Sequence, residues 1–177
     1  ATYAELYEAA VRPFVYRRYL DFGVFDSLRD MKAMIEREVA RRDMADHVKL
    51  GPGGIREIEF IIQAMQLIRG GQDRRLQTAS LRTALPRLVG SRLLDQETVD
   101  ELDAAYVFLR RLENGLQMVA DCQTHTLPVD ELARERLALA LGFDGWHSLL
   151  GQLDLHRGNV MRHFQALLFA NAPAADD

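Results

Sequence analysis

The 177-residue, 20.1 kDa chain has the size of one ordinary domain, long enough to bury about 70% of the surface its unfolded form would expose. Its 48% hydrophobic and 27% charged residues exclude a disordered or fibrous protein, and a net charge of -4 argues against binding to nucleic acid or an anionic membrane. One cysteine, Cys122, allows no intramolecular disulfide, and no stretch has the length and apolarity of a bilayer span. Cys122 falls in a helical pattern, where a small packed hydrophobe is expected. Ala1 to Glu5 do not form a signal sequence, so a reducing, cytoplasmic setting is expected. The chain starts without methionine and already in a helical pattern, as expected of a piece of a longer protein.

Five prolines and twelve glycines punctuate apolar residues that recur every three or four positions, the period of helices. A short helix is expected to end near Pro13. The next covers roughly residues 24 to 42, with Phe25, Leu28, Met31, Ile35 and Val39 in one stripe. A break at residues 46 to 54 gathers glycines and a proline, after which Ile55 to Arg69 reads as a helix stopped by Gly70-Gly71. Residues 72 to 78 read as a polar loop, and Ser80 to Val89 as a shorter helix in which Pro86 questions continuity.

The longest helix is expected from about Gln96 to Asp121, because Val99, Leu102, Tyr106, Leu109, Leu112, Leu116 and Val119 keep the helical spacing throughout. Asp130 is placed to cap a helix from Glu131 to Leu141 that Gly142 closes, and a last helix runs from about Trp146 to Phe169. The fold class is therefore all-α: an irregular bundle of about six helices around one long central helix. Residues 1 to 171 form one domain, and 172 to 177 a frayed tail.

The glycine cluster carries the clearest sign of chemistry. Lys49 precedes Gly51, Gly53 and Gly54, which lead into a helix start, and backbone N–H groups at such a start attract anions. On the helix, Arg56, Glu59, Gln63 and Gln66 form a polar line too narrow for a freely solvated face, so a cleft, another chain or an internal polar network is expected against it. The same residues also allow a purely structural reading, with Glu57 and Glu59 complementing the helix dipole and Arg56 paired to an acid. The run is not a nucleoside-triphosphate P-loop, since no Gly-Lys-Ser/Thr ends it. Arg110, Arg111 and Glu113 form a second polar cluster in mid-helix, either an ion-paired surface or a basic pair beside a cleft. The five histidines show no zinc-site spacing, so no metal is expected on this chain.

The run Val48-Lys49-Leu50-Gly51-Pro52-Gly53-Gly54-Ile55-Arg56-Glu57-Ile58-Glu59-Phe60 resembles the K-x-G-x-G-G-I-R-E-I-E-F signature of the bifunctional glutamine synthetase adenylyltransferase/adenylyl-removing enzymes. A related form occurs in the uridylyltransferase that modifies the PII signal protein. The resemblance extends through Phe14 to Phe22 upstream and through Phe108-Leu109-Arg110-Arg111-Leu112-Glu113-Asn114, Leu116-Gln117 and Gln123-Thr124-His125-Thr126-Leu127-Pro128 downstream. It implies the helical segment after the first, adenylyl-removing nucleotidyltransferase domain. In that family, inorganic phosphate attacks adenylyl-tyrosine of glutamine synthetase and releases ADP.

The family's Gly-Ser motif followed by Asp-x-Asp, which holds Mg2+, lies in the preceding domain; no Asp-x-Asp occurs in this chain, so its single Gly-Ser pair, Gly90-Ser91, does not complete the motif. The resemblance thus implies an enzyme that uses ATP, ADP and phosphate as substrates or products, with this segment inactive alone. Lys49 and Arg56 would add cations, the glycines would let N–H groups approach a phosphate, and Glu57 or Glu59 would orient Arg56. The partners implied are glutamine synthetase, PII and the upstream domain. Two alternatives stand beside this reading: a module that docks glutamine synthetase or PII, and the equivalent segment of the adenylylating half.

Overall fold

The computed structural model describes residues 2–16, 23–41, 44–120 and 123–169. Helical periodicity becomes helix almost everywhere it is expected: α1 (Tyr3–Val15), α2 (Gly23–Arg41), α3 (Ile55–Arg69), α4 (Leu81–Gly90), α5 (Gln96–Ala120), α6 (Glu131–Ala140) and α7 (Trp146–Phe169). The described residues thus hold seven helices, in keeping with the expected all-α bundle. The loop expected at 72 to 78 also contains a short 3-10 turn, Arg74–Leu76, whose entry is capped by Asp73. Cys122 and the tail 172–177 lie outside the described residues.

Local chemistry sets the helix ends. The Asp130 side chain accepts from Ala133 N–H at 2.8 Å and starts α6, and Gly142 takes φ +85° just beyond it. Ser80 caps α4 by accepting from Thr83 N–H. Pro13 and Pro86 both lie inside helices. Pro13 falls in the last turn of α1, so the helix runs two residues beyond it, while in α4 the proline removes one backbone hydrogen bond without ending the helix.

The core is a layer of α3, α4, α5 and α7. Ile55, Ile58, Ile61 and Ile62 of α3, Leu102, Leu109 and Leu112 of α5, and Leu149, Leu153 and Val160 of α7 are buried together in one cluster. The stripe expected on α5 is the spine of the bundle: Val99, Leu102, Leu109, Leu112 and Leu116 are buried, and Tyr106 and Val119 are packed against them. Its most extensive packing is against α7. The α2 stripe is covered much less. Met31 and Met34 are exposed, Ile35 and Val39 are half-buried, and the side chains of Phe25 and Leu28 lie outside the described set.

Candidate functional site

Between α2 and α3 the chain makes a turn held from three directions. Val48 is fully buried, its N–H donates to His125 O at 2.7 Å, and Leu127 N–H donates to Asp46 O at 3.1 Å. This pairing joins the turn to the loop that follows α5, through the bridge of His47 with Thr126. From α7, the Arg157 guanidinium donates to Ala45 O at 2.8 Å and His47 O at 3.2 Å. Gly53 adopts φ +65°, and a Cβ there would stand 2.5 Å from Arg157 O, so the turn lies directly on the α7 backbone.

The backbone donors of this turn are already engaged. Gly51 N–H reaches His47 O at 2.8 Å, Gly54 N–H reaches Gly51 O at 3.0 Å, and Arg56 N–H reaches Lys49 O at 3.0 Å. Gly53 N–H donates to Glu57 Oε2 at 3.1 Å. Gly51, Gly53 and Gly54 are buried, and added Cβ atoms at Gly51 and Gly54 would also collide with backbone carbonyls. They serve close packing, and the side chains around the turn are the groups left to meet a ligand.

Those side chains part in three directions. Lys49 turns toward α5, where its Nζ lies 3.8 Å from Glu113 Oε1. Glu113 is 3% exposed and is also held by Arg110 Nη1 at 2.7 Å from Oε2. His125 Nδ1 stands 3.0 Å from Oε1 without the alignment of a hydrogen bond. Arg56 points the other way, exposed, into a cleft of about 320 Å³ with Leu50, Met34 and Glu38. No hydrogen-bond or ion-pair partner for its guanidinium occurs among the described residues. Glu59 and Gln63 line a separate cleft of about 380 Å³ between α3, α4 and α5.

The polar line of α3 is therefore divided. Its last member, Gln66, is buried and donates through Nε2 to Leu76 O at 2.6 Å and Thr78 O at 2.8 Å, fastening the following loop. Glu57 is fixed by Gly53 N–H rather than by Arg56, and it lines a third cleft, of about 340 Å³, with Ile35, Val39, Met161 and Phe164. Burial pushes its carboxyl up to about 7, against the lowering effects of the Gly53 N–H, Lys32 and Arg157; nearby Glu36 adds to the rise.

Arg111 lies on the outer side, donating at 3.4 Å to Leu141 O at the end of α6. Of the mid-helix cluster, Arg110 and Glu113 thus join Lys49, while Arg111 does not. His125 and Arg157 were not among the site residues expected from sequence. His125 does lie in the downstream motif, and that position was the available signal. Its ring stacks on His47 at 5.3 Å. His47 Nδ1 accepts from the N–H groups of Lys49 and Leu50, and burial, then the neighbouring His125, lower its pKa.

Among the described residues no group of three or more His, Cys, Asp or Glu side chains is arranged to hold a metal ion, and no helix is long and apolar enough to cross a membrane. The family model described as GlnD PII-uridylyltransferase matches residues 29–168. A bifunctional glutamine synthetase adenylyltransferase/adenylyl-removing enzyme from Thioalkalivibrio sulfidiphilus (strain HL-EbGR7) is 54% identical over 168 residues, which are 95% of this chain and 17% of that protein. The chain thus spans about a sixth of the length of this relative.

Proposed function

Since the chain belongs to the GlnD PII-uridylyltransferase family, we propose that it is the helical part of a nucleotidyltransferase acting on glutamine synthetase, and that it supports removal of AMP by phosphorolysis. In that reaction a phosphate oxygen attacks the phosphorus of adenylyl-tyrosine, the bond from phosphorus to the tyrosine oxygen breaks, ADP leaves, and the tyrosine oxygen takes a proton. The observation that carries the reading is the placement of cations by the signature turn. Lys49 joins Arg110 over one buried carboxylate, and Arg56 stands exposed beside an open cleft. Phosphoryl and nucleotidyl transfer depend mainly on positioned positive charge, which these side chains supply in place of the engaged backbone amides.

The described residues do not fit a magnesium site, so we assign Mg2+ to the nucleotidyltransferase domain of the intact protein. There it would stabilise charge on the phosphate oxygens. Lys49 and Arg56, on opposite sides of the turn, would meet different groups of the bound phosphate and nucleotide, with ATP, ADP and phosphate as substrates or products of the whole cytoplasmic enzyme.

A second reading, docking of glutamine synthetase or PII, is favoured by the exposed Leu132 and Leu139, seven residues apart on one face of α6. Charge reversal in the intact enzyme separates the two. Arg56→Glu is expected to depress turnover at saturating glutamine synthetase, whereas Arg111→Glu, outside the cation cluster, would chiefly weaken partner binding if the helices only dock. Normal phosphorolysis by Arg56→Glu, with partner affinity lost in the other variant, overturns the catalytic reading.

A further inference from the structure

We propose that Lys49, Arg110 and His125, held by Glu113, form one subsite for a phosphate oxyanion, with Glu113 as its positioning residue. The proposal deepens the reading above and rests on it only for the reaction in which the anion takes part. The three basic groups come from three segments: the turn before α3, the middle of α5, and the loop after α5. They converge on one carboxylate whose side chain is 5% exposed.

A single cation would neutralise a buried carboxylate. Here Lys49 and Arg110 together already give the cluster a net charge of about +1. The surplus is accessible, since the side chains of Lys49, Arg110 and His125 are 35%, 44% and 27% exposed. Their donors are also incompletely used. Lys49 Nζ stays at 3.8 Å from the carboxylate, outside hydrogen-bond range. Arg110 commits one N–H of five.

The neighbouring ring completes one wall of the cluster. His47 accepts from two backbone N–H groups through Nδ1, which assigns its proton to Nε2, and it forms a stacked wall behind His125. Compact tetrahedral oxyanions suit a point-charge ammonium, a guanidinium fork and an imidazole converging from different directions. Inorganic phosphate and the phosphoryl group of AMP share that chemistry.

The test is a nitrogen-15 NMR titration of the imidazole rings in the 177-residue chain at fixed pH and ionic strength, with inorganic phosphate in one arm and AMP in the other. His125 is expected to shift saturably while the exposed His147 does not. Lys49→Ala and Arg110→Ala should each weaken binding about tenfold or more. Glu113→Gln separates positioning from bulk charge, because it makes the cluster more positive yet is expected to bind phosphate less tightly.

A response to phosphate alone identifies the attacking phosphate as the ligand, a response to AMP alone identifies the nucleotide phosphoryl group, and a response to both identifies the shared oxyanion. A His125 signal unmoved by millimolar phosphate and AMP overturns the subsite, as does phosphate affinity unchanged in both alanine variants. Should Glu113→Gln fail to fold, those two variants decide. If the chain binds the anion but Lys49→Ala leaves phosphorolysis by the intact enzyme normal, the subsite stands and the catalytic reading falls.

Discussion

Gly53→Ala tests how the signature turn is built. The added methyl group would lie 2.5 Å from Arg157 O and 2.6 Å from its Cα, at a residue with φ +65°. The left-handed conformation costs an alanine roughly 1–2 kcal/mol. Relieving the collision means lifting the turn off α7, which loosens the Arg157 bonds to Ala45 O and His47 O. Losing one such charge-assisted bond costs about 1.5–3 kcal/mol. Together the two effects come to about 2.5–5 kcal/mol, or a fall of roughly 5–20 °C in Tm for a chain of this size. Gly151→Ala is the control, because its Cβ would enter open space on α7 and should stabilise by about 0.5–1 kcal/mol. Thermal and urea unfolding of both variants measure the difference. A Gly53→Ala chain within about 0.5 kcal/mol of the parent, the range of ordinary surface substitutions, would refute the close-packed account of the turn.

The Glu57 carboxyl, raised from 4.5 to about 7 in the folded chain, binds its proton more tightly folded than unfolded. Stability should therefore fall as pH rises from about 4.5 to about 7, by up to about 3 kcal/mol, and Glu57→Gln should flatten that slope; parallel slopes in urea unfolding at several pH values would disprove it. The 177-residue chain alone should give a strongly helical circular-dichroism spectrum and no magnesium-dependent phosphorolysis of adenylylated glutamine synthetase; turnover by the purified chain would contradict the assignment of the metal to another domain. The exposed Tyr3, Leu6, Tyr7 and Phe14 of α1 and Met31 and Met34 of α2 should drive concentration-dependent self-association of the chain alone, and a strict monomer in sedimentation would contradict that expectation.

Where apolar spacing decided an element, the sequence was readable to within a residue or two. The start of α3 after Gly54, the α5 stripe, the Asp130 cap and the Gly142 stop all depend on neighbours within one or two turns. The site was harder, because its contacts join distant segments. Arg157 reaches Ala45 across 112 positions, and Lys49 meets Glu113 across α3, α4 and half of α5. No periodicity reports such a pairing. The glycines illustrate a second difficulty. A glycine that leaves room for an anion and one that leaves room for another backbone look identical in sequence, and Gly51, Gly53 and Gly54 are of the second kind. Glu57 was legible as a helix-start acid, yet its reach back to Gly53 N–H depends on the shape of the turn. Gln66 shared the helical phase of Arg56 and Glu59 but lies far enough along α3 to be buried by the loop at Leu76 and Thr78.

Phosphorolysis by the intact enzyme carrying Arg56→Ala, measured with Tm on the same sample, tests the central claim most directly. Arg56 is exposed, and its guanidinium has no partner among the described residues, so its removal should leave Tm within about 2 °C of the parent. Removing a charge-assisted contact to an anion costs about 1.5–3 kcal/mol, which is roughly tenfold to a hundredfold in deadenylylation rate or phosphate affinity. Adenylylation by the other half of the enzyme should continue. A variant with lowered Tm but normal phosphorolysis per folded molecule would contradict the account and make Arg56 a structural residue.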